Sequence, residues 1–191
     1  VTTPFDLLYN RAREERDRHG SCGLGFGATI ARHEGPHKLH VMDLLDDFVL
    51  AKKLKSVFLY YDAKLRIKFN ELELNRWMND FREALKVVRS KLHISSERAF
   101  FQTRSSEFSH LIFEGSQGIL LDQEFGYFPH VTRAYTSSRN ALELLDRIRK
   151  SIPKNPSKEL AREALIKAEV HYITRAYQTR HGNGPLSQEL K

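Results

Sequence analysis

The sequence is poor in the features that mark secreted and membrane proteins. Its 191 residues include a single cysteine, Cys22, so no disulfide can form within the chain. Structural disulfides belong to oxidising compartments, and their exclusion is typical of a cytoplasmic protein. No apolar run approaches the ~20 residues that span a bilayer, and the first residues lack the apolar core of a signal peptide. We therefore expect a cytoplasmic protein with no membrane partner.

Blocks of charge of one sign are also absent. Lys and Arg exceed Asp and Glu by seven, 31 against 24, but the signs alternate, as in RAREERDR at 11–18. A basic surplus can serve nucleic acid or small anionic ligands such as nucleotides. Aromatic and basic residues do not interleave in one stripe, as they do on nucleic-acid-binding surfaces. We expect no nucleic-acid partner, and a few arginines that bind phosphate.

Composition predicts a folded chain of about one domain. Hydrophobic residues make up 40% and charged residues 29% of the sequence, which is sufficient for a core and excludes general disorder. The chain begins with Val1 rather than methionine. We therefore expect it to be a piece of a longer protein.

Apolar spacing predicts several helices. Thr3 and Pro4 are suited to the cap and the first position of a helix that runs to the first glycines. Two further helices are predicted at about 42–65 and 71–92, where apolar residues recur at helical spacing. We expect these two helices to pack together, with Trp77 in the core. A last helical pattern runs over 137–168 and is interrupted by IPKNPS.

Two short segments have the composition of strands. SHLIFEG at 109–115 is a short apolar run that ends in glycine, and AEVHYITRAYQTR at 168–180 is rich in β-branched and aromatic residues. Together with the helices they predict an α/β chain that is rich in helix. Because the strands are too few to close a sheet, we expect their neighbours to lie elsewhere.

Four glycines lie close together in HGSCGLGFG at 19–27. Spaced glycines allow backbone N–H groups to approach an anion. The spacing matches neither a Rossmann nor a Walker A loop, so a flexible connection stays an alternative. Arg32 follows the loop and is suited to phosphate, although an exposed surface arginine would have the same sequence.

Two other kinds of site receive weaker support. Cys22 could be a nucleophile if a base lay beside it; His19 and His33 are near in sequence, but no pairing follows from that. His37 and His40 lie close to His33, without the carboxylates of a metal site. We therefore expect no metal site.

A second glycine-rich stretch reads FEGSQGILLDQEFGYFPHVT at 113–132. The amide of Gln117 offers donors and an acceptor, as a purine edge requires, and Thr132 offers a hydroxyl for phosphate. A strand–turn–strand with capping side chains is the alternative. Near the C-terminus, Gly182, Gly184 and Pro185 predict a tight turn.

In this order and spacing, the three segments resemble the adenylosuccinate synthetase family. The stretch at 113–132 resembles F-E-G-A-Q-G-T-L-L-D followed by G-T-Y-P and V-T-S-S-N. The loop at 20–27 resembles G-T-T-G-x-G-I-G, and YQTRHGNGP at 177–185 resembles Y-x-T-R-x-G-x-G-P. After Thr132 the family's Ser-Ser-Asn is replaced by Arg-Ala-Tyr.

The resemblance implies an inosine monophosphate site. Gln117 matches the family's base-contacting glutamine and Thr132 its phosphate-contacting threonine. Arg32 matches an arginine that reaches the nucleotide of the partner subunit in a homodimer. Cys22 stands in place of a phosphate-contacting threonine, and a thiol is a weaker donor than a hydroxyl. His181 stands near the position of the ribose.

The implied activity is that of a ligase of purine biosynthesis, which joins inosine monophosphate and aspartate with GTP and Mg²⁺. Residues 1–191 would form the central nucleotide-binding portion, with a helical excursion at about 42–92. Nothing here matches the family's GTP loop, G-D-E-G-K-G-K, or the catalytic aspartate and histidine beside it. We therefore expect no catalytic residue and an inactive isolated chain. A non-catalytic module for nucleotide binding or dimerisation is the alternative.

Overall fold

The computed structural model describes residues 1–18, 20–65, 70–96, 99–101, 110–151, 168–174, 176–177, 179–180 and 182–186. These residues form two compact units. The first comprises 1–94 with Gly182 and Asn183, and the second comprises the described residues from 95 to 180 and from 184 onward. The α-helices are α1 (Pro4–Asp17), α2 (Phe26–His33), α3 (Asp47–Lys64), α4 (Glu71–Lys91) and α5 (Arg139–Ser151). Short 3-10 turns lie at Val41–Leu45 and Ile119–Leu121.

Helix α1 begins where the sequence predicts. Thr3 is its N-cap and Pro4 its first residue. The Thr3 hydroxyl accepts a hydrogen bond from the Asp6 amide at 3.4 Å, and Asp6 Oδ2 accepts one from the Thr3 amide at 2.7 Å. This reciprocal capping box satisfies two N–H groups that a helix otherwise leaves unpaired.

Helix α2 is an element that the sequence analysis missed, because the glycines conceal where the loop ends. Gly25 caps it with a φ of 74°. A Cβ at this position would lie 2.9 Å from the Asp6 carbonyl carbon and the Leu7 amide nitrogen. Only glycine fits this close contact with α1, and the contact places α2 directly against α1.

Helices α3 and α4 confirm the two predicted helices. The first begins later than expected, since Val41–Leu45 forms a 3-10 turn and Asp46 then caps α3. Asn70 caps α4 by accepting hydrogen bonds from the amides of Leu72 and Glu73.

The first unit is built around two apolar clusters to which both long helices contribute. One surrounds the buried Val57 and Tyr61 of α3, with Leu74 and Met78 of α4 packed against it. The other surrounds the buried residues Leu39, Leu44 and Leu50, against which α4 packs Phe81, Leu85 and Val88. Side chains of α3 and α4 therefore contribute to the same clusters, while the closest backbone contacts of α4 are with α1 and with the turn at Val41–Leu45.

Trp77 is not the core residue that the sequence predicted. No residue of α4 is buried, and Trp77 is only partly covered. Its ring lies under the Arg11 guanidinium, 4.8 Å from Cζ to the ring centroid, and its indole N–H donates to Glu73 at 3.4 Å. We therefore expect its removal to cost less than the ~3–5 kcal/mol of a buried tryptophan.

The predicted strands do not occur in the described part of the chain, which contains no β-strand. A strand requires a neighbour for its N–H and C=O groups. Ile112 and Ile173, in the two predicted segments, are each 92% exposed, so neither side chain is packed as it would be in a buried strand. The described helices include none that is long and apolar enough to cross a membrane.

Helix α5 confirms the start of the last predicted helix. Its buried side chain is Ile148, which is 2% exposed. The rest of the predicted helix, including IPKNPS, falls largely at 152–167, outside the described residues.

Candidate functional site

Side chains of helix α1 bind the first residues of the glycine-rich loop that follows it. Glu14 Oε1 accepts a hydrogen bond from the Gly20 amide at 2.5 Å, and Oε2 accepts one from the Ser21 amide at 3.2 Å. The Asn10 side chain donates to the Ser21 hydroxyl at 3.0 Å. Gly20 has a φ of 81°, a conformation that favours glycine. The loop is therefore fixed by side chains of the preceding helix.

Cys22 is exposed on this loop. His33, one of the two bases considered for a thiol mechanism, accepts a hydrogen bond from the Leu39 amide at 3.3 Å through Nε2. Burial, followed by the charge of Arg32, lowers the pKa of the His33 imidazole below 6.5. His33 is thus a neutral imidazole that accepts from the Leu39 amide. His19 lies outside the described residues. The geometry gives the thiol mechanism no support.

Arg32 is buried inside the first unit. Its side chain is 0% exposed, so the alternative of a solvated surface arginine is wrong. The guanidinium donates to Asp6 Oδ1 at 2.9 Å and to Asp6 Oδ2 at 3.0 Å. It also donates to the carbonyls of Val1 at 2.9 Å and His37 at 2.5 Å. These bonds satisfy most of its five N–H groups.

Asp6 is the centre of this buried network. Its carboxylate also accepts from the Tyr61 hydroxyl at 2.6 Å, and the Ala28 carbonyl lies 3.0 Å from the same hydroxyl oxygen as a second acceptor for its one proton. Burial, followed by the charge of Asp6, raises the pKa of the Tyr61 phenol far above its ordinary value of 10.0. Tyr61 is therefore a neutral donor. The network joins α1, α2 and α3 and fixes the end of the glycine-rich loop.

These bonds bear on the predicted role of Arg32 at a partner's nucleotide. A guanidinium with four in-chain hydrogen bonds must give up some of them to bind a phosphate elsewhere. The role across a dimer interface stays a prediction, and the described contacts assign Arg32 to its own chain.

Asn183, which belongs to the first unit, contacts the end of α1 and the first glycine-rich loop. The Asn183 side chain donates to the Arg18 carbonyl at 3.1 Å. A Cβ on Gly20 would lie 2.9 Å from Asn183 Oδ1, so a larger residue would not fit there. Beside this contact is an open groove of about 710 Å³, with Arg11, Glu14, Glu15, Arg18, Gly20, Gly23, Glu73 and Asn183 along its walls. His181 itself lies outside the described residues.

Gln117 and Thr132 lie in the second unit. Gln117 is exposed, between Ser116 and Gly118. Thr132 is partly buried, and its amide donates to the Leu121 carbonyl at 2.8 Å. That bond links the two ends of the segment 121–132. It uses the backbone amide of Thr132 and not the hydroxyl.

Asp122 organises this second stretch. It is 0% exposed and accepts hydrogen bonds from the amides of Glu124 at 2.9 Å, Phe125 at 3.2 Å and Thr136 at 2.6 Å. The Thr136 hydroxyl lies 3.3 Å from it and shares its one proton between Asp122 and the Gly118 carbonyl, which is 3.1 Å away. Burial raises the pKa of Asp122, but these hydrogen bonds outweigh burial and hold the pKa below 3.8. The residue is therefore a carboxylate at neutral pH, and its hydrogen bonds shape the loop.

Arg180 connects the last motif to the same stretch. It donates to the carbonyls of Leu120 at 2.9 Å and His130 at 2.5 Å. A Cβ on Gly184 would lie 2.6 Å from Arg180 Cζ, so the glycine makes room for the guanidinium. The second and last motifs are thus joined within the second unit by backbone carbonyls.

The structure places the predicted site residues in both units. Cys22 and Arg32 belong to the first unit, and Gln117 and Thr132 to the second. The residues that hold these loops were not predicted as site residues: Asp6, Glu14, Asp122 and Arg180. For Asp122, the available signal was a pair of acidic residues two apart within the glycine-rich stretch, in LLDQE at 120–124.

Comparison of the sequence with known proteins identifies one family. The profile of the adenylosuccinate synthetase family matches residues 1–191. An adenylosuccinate synthetase of Flavobacterium johnsoniae is 32% identical over 187 residues, which cover 95% of this chain and 39% of that protein. One of Coxiella burnetii is 27% identical over 195 residues, covering 98% of this chain and 40% of that protein.

The chain spans about two fifths of the length of these curated relatives. The match includes both glycine-rich stretches and the C-terminal turn, whose supporting contacts are described above. Because the family profile matches the whole chain and a relative is 32% identical over 95% of it, this chain belongs to the adenylosuccinate synthetase family.

Proposed function

We propose that this chain is the inosine monophosphate-binding portion of an adenylosuccinate synthetase. The observation that carries the proposal is Gln117, which is exposed in a stretch whose backbone is held by the buried Asp122. An amide so placed can pair with a purine edge through its oxygen and its NH₂. In the whole enzyme, the activity would join inosine monophosphate to aspartate with GTP.

Each predicted contact has a distinct chemical task. Thr132 would donate its hydroxyl to the phosphate, while its amide stays bound to Leu121. Cys22 would contact phosphate from the first loop with a weaker S–H donor, and His181 would lie at the ribose. None of these residues transfers a proton or forms a bond with substrate, so their work is binding and orientation.

The sequence holds no match to the family's GTP loop, and no ligand set for Mg²⁺ is found among the described residues. Among them, no three His, Cys, Asp or Glu side chains lie close enough together to hold a metal ion. No step is therefore assigned to either group here. In the proposed whole enzyme, GTP would phosphorylate the purine 6-oxygen, which makes that oxygen a good leaving group for aspartate.

The resemblance also implies a cytoplasmic homodimer with Arg32 acting across the interface. Those features stay predictions. A non-catalytic nucleotide-binding or dimerisation module is the second candidate, and it is favoured for the isolated chain by the absence of a match to the family's GTP loop.

A retention experiment tests the proposed function. We expect the purified chain to be retained on immobilised inosine monophosphate and to be released by free inosine monophosphate. Double-stranded DNA at physiological salt should not retain it, because the basic residues form no stripe with aromatic ones. The chain alone should form no adenylosuccinate, since positioned acid–base groups contribute ~10²–10⁴-fold and none is assigned here. Retention by DNA but not by the nucleotide would contradict the proposal.

A further inference from the structure

We propose that Glu14 is a positioning residue for the first glycine-rich loop, which it holds in the shape that binds ligand. The inference rests on the proposed function, because that function makes the loop a substrate contact through Cys22. Glu14 itself touches no ligand in this account. It acts through the backbone of Gly20 and Ser21.

The hydrogen bonds of Glu14 use its whole carboxylate. One oxygen accepts from the Gly20 amide at 2.5 Å and the other from the Ser21 amide at 3.2 Å. The Glu14 carbonyl accepts in addition from the Arg18 amide at 2.9 Å. Glu14 therefore binds Arg18 through its backbone carbonyl, and Gly20 and Ser21 through its side chain.

The position of Glu14 in its helix points to the same role. It lies in the last turn of α1, where the helix dipole disfavours a negative side chain. Two amide N–H groups that converge on its carboxylate supply the opposite partial charge. Glu14 is thus matched to the loop, whereas a glutamate that only solubilised the helix would be better placed in the first turn.

Because the Gly20 and Ser21 amides already donate to Glu14, only other donors of the loop are available to a ligand. Successive N–H groups at a glycine-rich turn form an anion-binding concavity, and here a carboxylate of the same chain fills it. A phosphate that approaches the loop must therefore use later groups, which begin at Cys22. The Glu14 carboxylate thus fixes the start of the loop, and the residues from Cys22 onward are left to contact the ligand.

The chain offers a matched control in Glu15. It lines the same groove as Glu14, but it is exposed, and its side chain makes no hydrogen bond or ion pair with the described residues. Glu14→Gln and Glu15→Gln remove the same charge from adjacent positions. Glutamine at 14 keeps the size of the side chain, but its NH₂ cannot accept from an amide.

Amide hydrogen exchange by NMR gives the first readout. We expect the amides of Gly20 and Ser21 to exchange about 10–100-fold faster in Glu14→Gln, because hydrogen bonds to charged groups are the stronger kind. They should exchange at the parental rate in Glu15→Gln. Equal rates in the two variants would overturn the proposal.

Inosine monophosphate affinity, measured by calorimetry, gives the second readout. We expect Glu14→Gln to bind about tenfold more weakly with an unchanged melting temperature, and Glu15→Gln to bind as the parent does. A lower melting temperature with unchanged affinity would make Glu14 merely structural and would overturn the proposal. If the parental chain binds no inosine monophosphate, the proposed function fails, and hydrogen exchange still decides whether Glu14 holds the loop.

Discussion

Replacing Arg32 by methionine is expected to destabilise the chain by about 3–5 kcal/mol, because it leaves the Asp6 carboxylate buried without its cation. Both side chains are 0% exposed. Water cannot reach the abandoned carboxylate, and the carbonyls of Val1 and His37 would lose their donors as well. The expected effect is larger than that of any surface ion pair in the described residues.

Urea unfolding measures this loss, with Arg13→Met as the control. Arg13 lies in α1 and pairs with Asp17 at 3.2 Å, where its side chain is 55% exposed. Exposed pairs of this kind contribute little, so the control should unfold close to the parent. An Arg32→Met chain that unfolds with the Arg13→Met control would contradict the buried network.

Replacing Asp122 by asparagine is expected to disorganise the stretch that carries Gln117 and Thr132. The carboxylate accepts from three backbone amides and one hydroxyl. Asparagine would turn an NH₂ group towards at least one of these donors. We expect the amides of Glu124 and Thr136 to lose protection from hydrogen exchange, and inosine monophosphate binding to be lost with them.

The same carboxylate predicts a dependence of stability on pH. The folded pKa of Asp122 lies below 3.8, so its contribution is present above the unfolded pKa and is lost as pH falls through the folded pKa. Asp122→Asn should therefore lose part of the acid sensitivity below about pH 4. The control is Asp47→Asn, which removes a carboxylate that pairs with Arg89 and whose side chain is 86% exposed, where an ion pair contributes little. Identical acid unfolding of the parent and Asp122→Asn would contradict this role.

The parts of the fold that the sequence predicted are those with local causes. Thr3 and Pro4 define the start of α1 through contacts within one turn. Helix α4 was predicted because its apolar residues recur at helical spacing in the sequence. Helix α2 was missed because its first turn depends on Gly25 lying against Asp6. The predicted strands have the right composition, but a strand also needs a partner, which composition does not supply.

The candidate site divides in the same way. Gln117, Thr132 and Cys22 were predicted through motifs, since motif residues stand in a fixed order. The role of Arg32 at a nucleotide was also predicted from the sequence and stays a prediction. Its contact with Asp6, 26 residues away, was not predicted, because nothing in the sequence pairs the two side chains. Arg180 likewise binds carbonyls 50 and 60 residues away. Residues that hold a loop act over distances that sequence patterns do not record.

The most direct test of the account is the affinity of inosine monophosphate for the chain and for Gln117→Ala, measured by calorimetry. Gln123→Ala is the matched control, because Gln123 lies in the same stretch and is exposed. The account predicts that the parent and Gln123→Ala bind equally, and that Gln117→Ala binds about tenfold or more weakly, as expected when hydrogen bonds to the base are lost. Unchanged affinity in Gln117→Ala would contradict the assignment of this chain as the portion that reads the purine base.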